Sequence, residues 1–226
     1  GMKDTDKPLL PLSAFQQAII GMAMVAMGAG MTINFVVVAP LARKAGLTEI
    51  EVAGILTLSA ALYALLIPTW GRLADRFGRK RVMGFSMFAM GLTNMIFVLA
   101  LKAALAGLVT GLSTFFLLAF VRLWFGLLAP GLQPAAMAAM TDATTPLTRA
   151  GGLGMLGACM SVGSIIGPAG ATVLAPYGAL MPIWGSIIFN LSAGLLLAFA
   201  LPPTRKRPKS STRPKPLAVR DSRVFP

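Results

Sequence analysis

Residues 71–80 read GRLADRFGRK, and Arg81 extends the run of charge. Ionisable side chains occupy six of the eleven positions 71–81: Arg72, Asp75, Arg76, Arg79, Lys80 and Arg81. Only 12% of the whole chain is charged, and long apolar runs stand on both sides of this stretch. A short charged turn between two long apolar segments is typical of two helices that cross a membrane and are joined on one side of it.

The composition of the chain indicates that lipid surrounds most of it. Of its 226 residues 56% are hydrophobic, and the mean hydropathy is +0.78. A spanning helix needs about 20 predominantly apolar residues and satisfies its backbone hydrogen bonds internally. Transmembrane β-barrels show short segments of alternating hydrophobicity, whereas this chain has long unbroken ones. The sequence therefore predicts an all-α membrane protein.

Six membrane spans are predicted from the apolar runs, at residues 13–39, 50–70, 82–103, 112–141, 151–175 and 179–201. Residues 1–12 are then a cytoplasmic N-terminus, in which Gly1 is expected to be a residue added before the natural start at Met2. Residues 13–201 form a six-helix transmembrane bundle, and residues 202–226 form a basic cytoplasmic linker.

The basic residues predict the orientation of the spans. If the N-terminus is cytoplasmic, 16 of the 20 Lys and Arg residues fall on the cytoplasmic side, which is the positive-inside bias. Eight of them are Lys3, Lys7, Arg72, Arg76, Arg79, Lys80, Arg81 and Arg149, and eight are in the C-terminal tail: Arg205, Lys206, Arg207, Lys209, Arg213, Lys215, Arg220 and Arg223. Topology and attraction to anionic headgroups thus explain the net charge of +13. We expect a bacterial inner membrane protein with both termini in the cytoplasm and no nucleic-acid partner, because the basic tail lacks interleaved aromatic residues.

The residue types exclude several classes of site. Cys159 is the only cysteine and there is no histidine, so the chain cannot build a disulfide framework or an imidazole-based zinc or haem site. Without a histidine or an acid inside a span, the usual catalytic sets cannot be assembled. We therefore expect no enzyme activity, no cofactor and no metal.

The charged stretch resembles the signature loop of the major facilitator superfamily: Gly, three residues, Asp, a basic residue, any residue, Gly and two basic residues. The matching positions are Gly71, Asp75, Arg76, Gly78, Arg79 and Lys80. The resemblance implies that this loop latches two halves of a transporter together on the cytoplasmic side and releases them during alternation. Asp75 would suit a nearby arginine or a helix N-terminus, and the surface that completes the latch is expected outside this chain.

A second match lies in the fourth predicted span. Its residues 122–142, RLWFGLLAPGLQPAAMAAMTD, resemble the family's arginine-then-glycine pattern at Arg122, Gly126, Pro134, Ala138 and Asp142. An arginine inside a span costs at least about 2.5–3.5 kcal/mol, which makes Arg122 a functional-site hypothesis. The alternative is that Arg122 lies near the outer interface and extends its charge to the headgroups.

A third match lies in the fifth predicted span. Residues 152–171, GLGMLGACMSVGSIIGPAGA, resemble the antiporter motif of drug/proton exporters at Gly154, Gly163, Gly167 and Pro168. The paired glycines that normally follow in that motif are absent. The alternative is ordinary helix packing, because Gly163 and Gly167 form a GxxxG pair.

The resemblance covers residues 12–201 and implies the N-terminal half of a twelve-helix fold, in which two six-helix bundles are related by an axis along the membrane normal. The expected partners are a C-terminal six-helix half missing from this chain or a second copy of the chain, the lipid bilayer, a small-molecule substrate and protons. In this fold the first and fourth helices line the central cavity, so the candidates for proton coupling or substrate binding are Arg122, Asn34 and Gln133. Asn94 and Asn190 lie in peripheral spans and are expected to make structural hydrogen bonds.

The implied function is secondary active transport of the drug/proton antiporter type, with proton-coupled export of hydrophobic or cationic small molecules by alternating access. Such an antiporter needs a titrating group within the membrane, usually a carboxylate. All seven acids, however, lie at membrane edges or in loops: Asp4, Asp6, Glu49, Glu51, Asp75, Asp142 and Asp221. The proton site is then in the missing half, with Arg122 tuning it, or transport is not proton-coupled. Metabolite uptake or facilitated transport, and a non-transporting scaffold on the same fold, are the open alternatives.

Overall fold

The structure is a computed structural model, and it describes residues 7–204. In that part of the chain six helices follow one another without a strand, each long and apolar enough to cross a membrane by length and composition. They are α1 (Ala14–Lys44), α2 (Glu49–Phe77), α3 (Arg79–Leu105), α4 (Leu112–Ala143), α5 (Arg149–Tyr177) and α6 (Met181–Ala200). The predicted all-α architecture with six spans is confirmed. Three predicted features lie outside the described residues: Gly1, most of the charged residues of the N-terminal segment, and nearly all of the basic linker.

The charged stretch is mostly helical, so the prediction of a turn over residues 71–81 is wrong. Helix α2 continues to Phe77, α3 begins at Arg79, and only Gly78 separates them. Gly78 has φ +104° and ψ 143°, a backbone conformation that side chains disfavour. A Cβ atom on Gly78 would also lie 2.8 Å from the Thr204 hydroxyl oxygen. One glycine therefore makes the whole reversal, and the good helix formers before it extend α2 beyond the predicted span.

Helix α1 extends past its predicted end and contains an irregular turn. Residues Asn34–Val38 form a π-helical turn, after which the helix continues to Lys44. Pro40 stands two residues after the end of the π turn. A proline has no backbone N–H, and its ring clashes with the carbonyl one turn earlier in a regular helix. A local π turn is one of the recognised ways in which a helix absorbs such an interruption.

Helix α4 has two parts, Leu112–Leu128 and Leu132–Ala143, where the sequence predicted one continuous span. A proline and a glycine stand between the two parts. The side chain of Ser86 on α3 satisfies the backbone on both sides of the break. Its hydroxyl donates to the Ala129 carbonyl at 2.5 Å and accepts from the Leu132 N–H at 3.0 Å. The break is therefore compensated inside the bundle, as backbone groups away from water require.

Helix α1 is the central element, and it packs most extensively on α5 and then on α6. Glycines set the distance between α1 and α5. A Cβ atom on Gly163 would collide with the Val25 backbone, and a Cβ atom on Gly28 would collide with the backbone of Met160. Because lipid gives helices no hydrophobic reason to associate, such small residues permit the close van der Waals packing that holds spanning helices together.

We expect Gly163→Ala to destabilise the bundle by about 1–3 kcal/mol, because the added methyl group meets backbone rather than a movable side chain. Gly84→Ala on α3 is the matched control, since its added Cβ has no atom within 4 Å. Thermal unfolding of the purified protein in detergent measures both. Equal melting temperatures for the two variants would contradict the role given to the α1–α5 contact.

Candidate functional site

Arg122 lies buried in the first part of α4, with 6% of its surface exposed. Its Nη1 donates a hydrogen bond to Asn94 Oδ1 at 3.0 Å. The guanidinium carbon lies 4.1 Å from the centre of the Phe125 ring and 5.7 Å from that of Phe97. An amide oxygen and two aromatic faces therefore stabilise the charge. The alternative that Arg122 extends its charge to the headgroups does not fit this burial.

No carboxylate within residues 7–204 forms an ion pair with Arg122. The four acids in the described part of the chain stand in the first or last turns of helices: Glu49, Glu51, Asp75 and Asp142. A buried cation without an acidic partner is costly, and such residues in spanning helices usually face a cavity or a functional partner.

A cavity of about 190 Å³ adjoins the arginine; we call it the Arg122 cavity. Its walls come from α1, α2 and α4: Met31, Phe35, Leu56, Ser59, Ala60, Tyr63, Arg122 and Phe125. The Tyr63 and Phe125 rings stack with centroids 6.0 Å apart, and the Tyr63 hydroxyl donates to Met27 Sδ at 3.6 Å. The cavity thus combines one guanidinium with mainly apolar and aromatic walls.

A close contact between α2 and α4 positions the α2 side of the Arg122 cavity. Gly126 stands one turn after Arg122, and a Cβ atom there would lie 2.7 Å from the Ser59 carbonyl oxygen. The Ser59 hydroxyl in turn donates to the Arg122 carbonyl at 3.1 Å. The glycine at this spacing therefore lets α2 lie directly beside the arginine, which explains physically why the two residue types occur together.

Asn34 does not line the Arg122 cavity. It is 3% exposed and lies one turn after Gly30, whose Cβ position would be 2.9 Å from Ser186 Oγ and 3.5 Å from Asn190 Nδ2. The π turn that contains Asn34 packs on α6 as well. Asn34 therefore lies where α1 packs on α6, and its Nδ2 has no hydrogen-bond partner among the described residues.

Gln133 also lies apart from Arg122, half-buried beyond the break in α4. Of the three residues predicted for proton coupling or substrate binding, the structure brings only Arg122 to the cavity. Gln16, at the start of α1, has a structural position. It forms a capping box with Ser13 and donates from Nε2 to the Ala200 carbonyl at 3.0 Å.

Asn94 was predicted to make a structural hydrogen bond, and it accepts one between helices from Arg122. Sequence reasoning missed only that its partner is the arginine of the candidate site. The sequence did contain a signal, namely the distance of each residue from the connection between α3 and α4. Asn94 precedes the end of α3 at Leu105 by 11 residues, and Arg122 follows the start of α4 at Leu112 by ten. Because the two helices are consecutive and antiparallel, residues equally far from their connection meet.

The signature loop forms a second polar cluster, at the ends of α2, α3 and α4. The Arg79 side chain is 7% exposed; its Nη2 donates to Asp75 Oδ1 at 3.0 Å, and its Nε lies 3.1 Å from Asp142 Oδ2. The second contact is an ion pair without hydrogen-bond geometry. The two acids differ in exposure, 59% for Asp75 and 13% for Asp142. The Arg79–Asp142 ion pair thus joins the signature loop to the motif of the fourth span within this chain. The sequence did not predict this contact.

The other loop residues have mainly backbone or surface positions. Gly71 approaches Pro134, its Cβ position being 3.6 Å from Pro134 Cβ. The Lys80 backbone N–H donates to the Thr204 hydroxyl at 3.3 Å. Arg76 is exposed and lies over the Phe77 ring at 5.2 Å.

The four residues of the antiporter-like motif divide into two groups. Gly163 and Gly167 are buried against α1, where a Cβ atom on Gly167 would lie 2.7 Å from the Ala29 carbonyl oxygen. Gly154 is exposed, and a Cβ atom there would meet no atom within 4 Å. Pro168 lies inside α5 and is half-buried. In the described residues, close helix packing accounts for the GxxxG pair but not for Gly154.

Residues 18–225 match the sequence profile of the Major Facilitator Superfamily. The chain belongs to this superfamily. Its relatives there include Multidrug resistance protein 2 of Bacillus subtilis (strain 168), which is 32% identical over 66% of this chain. Solute carrier family 22 member 18 of Mus musculus is 28% identical over 80% of the chain. Tetracycline resistance protein, class H, of Pasteurella multocida is 32% identical over 65% of it.

The chain spans less than half the length of these relatives, since the matched parts are 34%, 43% and 33% of their own lengths. Members of this superfamily are transporters rather than enzymes, as the sequence predicted. The predicted likeness to drug antiporters agrees with the multidrug and tetracycline resistance relatives. The chain is therefore a helical, integral membrane protein of a transporter family.

We expect Asp142→Asn to destabilise the protein more than Asp75→Asn. Loss of the less exposed acid leaves the buried Arg79 charge poorly compensated, which costs about 3–5 kcal/mol in fully buried pairs. Loss of a mainly exposed acid costs about 0–1 kcal/mol. Thermal unfolding of the two variants beside the wild type makes the comparison. A larger loss with Asp75→Asn would show that Asp75 is the principal partner of Arg79.

Proposed function

We propose that the chain is part of a secondary active transporter that exports hydrophobic or cationic small molecules in exchange for protons, by alternating access. The observation that carries the proposal is the Arg122 cavity, in which one buried guanidinium meets mainly apolar and aromatic walls. We place the protein in a bacterial inner membrane with both termini in the cytoplasm. The remainder of the pathway comes from a second six-helix half or from a second copy of the chain.

The walls of the cavity suit the proposed substrate class. Met31, Phe35 and Leu56 provide adaptable apolar surface, and the Tyr63 ring offers a face that attracts cations. Relatives named for multidrug and tetracycline resistance support export of such compounds. An apolar cavity of this kind binds by shape and hydrophobicity, so it tolerates substrates of different structure.

Arg122 would act on a proton-binding acid outside the described residues. A positive charge within about 4–6 Å of a carboxyl group lowers its pKa. A carboxylate held beside Arg122 in one conformation, and moved from it in another, would release and bind a proton during the cycle. A cationic substrate would compete with the proton for the same carboxylate, which is the exchange that an antiporter requires.

The Asp75–Arg79–Asp142 cluster would serve as the cytoplasmic latch. Arg79 is fixed from both sides within this chain, whereas Asp75 keeps most of its surface exposed. An exposed carboxylate at a helix end is able to bind a helix N-terminus or a basic residue of the opposing half. Its release would open the cytoplasmic side.

Uptake or facilitated transport of an anionic metabolite is the second candidate. The observation that favours it is the absence, within residues 7–204, of an acid paired with Arg122. In that case the substrate's own negative charge would supply the missing partner of the guanidinium.

The test is uptake of ethidium, a hydrophobic cation, into proteoliposomes that hold the whole protein and an imposed pH gradient. We expect Arg122→Ala to lower the initial rate about tenfold or more, a loss of at least about 1.4 kcal/mol of transition-state stabilisation. Arg122→Lys should recover part of that rate because it keeps the charge.

Lys102→Ala is the matched control, because it removes an exposed cation from α3, and it should leave the rate unchanged. Size-exclusion profiles show whether each variant is folded. If folded Arg122→Ala transports ethidium as fast as Lys102→Ala does, the role proposed for Arg122 is contradicted. Flux of an organic anion but not of ethidium would favour the second candidate.

A further inference from the structure

A second cavity of about 360 Å³ lies between α1 and α2, toward the turn that connects them. We call it the Arg43 cavity; its lining residues are Phe35, Ala39, Arg43, Glu49, Val52, Ala53, Leu56 and Thr57. Two of these residues, Phe35 and Leu56, also line the Arg122 cavity. The two cavities are therefore neighbours that share a wall of two apolar side chains.

Helix geometry shows that the cavities are consecutive segments of one groove. On α1, residues Met31, Phe35, Ala39 and Arg43 follow at intervals of four and so share one face. On α2, residues Ala53, Leu56 and Ala60 follow at intervals of three and four and also share one face. The main backbone contact between α1 and α2 involves Ala39–Lys44, beside their connection. The groove runs between these faces, with Phe35 opposite Leu56 at its middle.

The groove changes in character along its length. At one end the Arg43 and Glu49 side chains form an exposed ion pair with 3.3 Å between Nη1 and Oε1. At the other end lies the buried Arg122. Where the two cavities meet, the shared side chains are those of Phe35 and Leu56, so a molecule that passes from one cavity to the other moves past two apolar side chains.

Phe35 has the features of a movable member of this shared wall. The residue is 59% exposed, so the bundle does not fix it on all sides. It belongs to the π turn before Pro40, and π turns inside α-helices occur frequently at functional sites. The irregular turn therefore stands where the groove is divided.

We propose that the Arg43 cavity is an access site for hydrophobic substrates and that Phe35 and Leu56 form the gate between it and the Arg122 cavity. The inference rests on the proposed function, because it names the route by which substrate reaches Arg122. The site takes molecules with an apolar body, since Val52, Ala53 and Leu56 are among its lining residues. A polar or charged end of such a molecule would remain at the Arg43–Glu49 mouth.

Two alanines of α2 provide matched reporters for the test. Ala53 lines the Arg43 cavity and Ala60 lines the Arg122 cavity, seven residues further along the same helix face. Each is changed to cysteine in the whole protein after its native cysteines, including Cys159, are replaced with serine. A charged, membrane-impermeant methanethiosulfonate reagent is applied from the side on which Arg43 lies, and the rate of modification is measured.

Both alanines are exposed in the described part of the chain, so the test lies in how each modification rate depends on Phe35. Phe35→Ala should raise the rate at Ala60→Cys about tenfold, the change that a barrier lower by about 1.4 kcal/mol produces, and should leave Ala53→Cys unchanged. Phe116→Ala, which removes an exposed ring of α4 that lines neither cavity, should change neither rate. No effect of Phe35→Ala on the rate at Ala60→Cys, or an equal effect at both cysteines, would overturn the gate.

Tetraphenylphosphonium, a hydrophobic cation, tests the access site itself. It should slow modification of Ala53→Cys, and a failure to protect that cysteine would overturn the site. These measurements need no transport. A negative result therefore removes the gate or the access site alone, whereas loss of the proposed function would appear in the ethidium flux of the Arg122 variants.

Discussion

The close approach of α1 and α5 is the contact on which the rest of the bundle depends. Gly28 and Gly163 remove the side chains that would otherwise hold the two backbones apart. With one side of α1 fixed against α5 and α6, its remaining face is free to line the groove with α2. In a solvent as apolar as the side chains themselves, this steric fit decides which helix surfaces meet.

Arg122 gives the groove its chemistry. A guanidinium in a spanning bundle costs several kcal/mol unless its surroundings compensate it, and here the compensation comes from the Asn94 amide and the rings of Phe125 and Phe97. These groups stabilise the charge without neutralising it. We propose that its partner is anionic, either a carboxylate that gains and loses a proton or the substrate itself.

Hydropathy and three motifs predicted the six spans and the superfamily, because length and charge-free runs are visible in one dimension. They also singled out Arg122 as a functional-site hypothesis. Lateral packing was not predictable in this way. Lipid-facing and buried positions are both apolar, so nothing in the pattern indicated that Asn34 faces α6 rather than Arg122. The Arg79–Asp142 pair was missed for a similar reason, since it joins two motifs that are far apart in the sequence. The predicted turn around Gly78 was too long, because charged residues were assumed to lie outside the helices.

The most direct test of the account is to measure whether transport of a substrate by the whole protein moves protons in the opposite direction. Proteoliposomes that contain the protein and a pH-sensitive dye are given an ethidium gradient without an imposed pH gradient. The account predicts that ethidium entering the vesicles drives protons out, so that the internal pH rises, and that the response disappears in folded Arg122→Ala. Ethidium entry without a change of internal pH would contradict proton exchange as the function of this site.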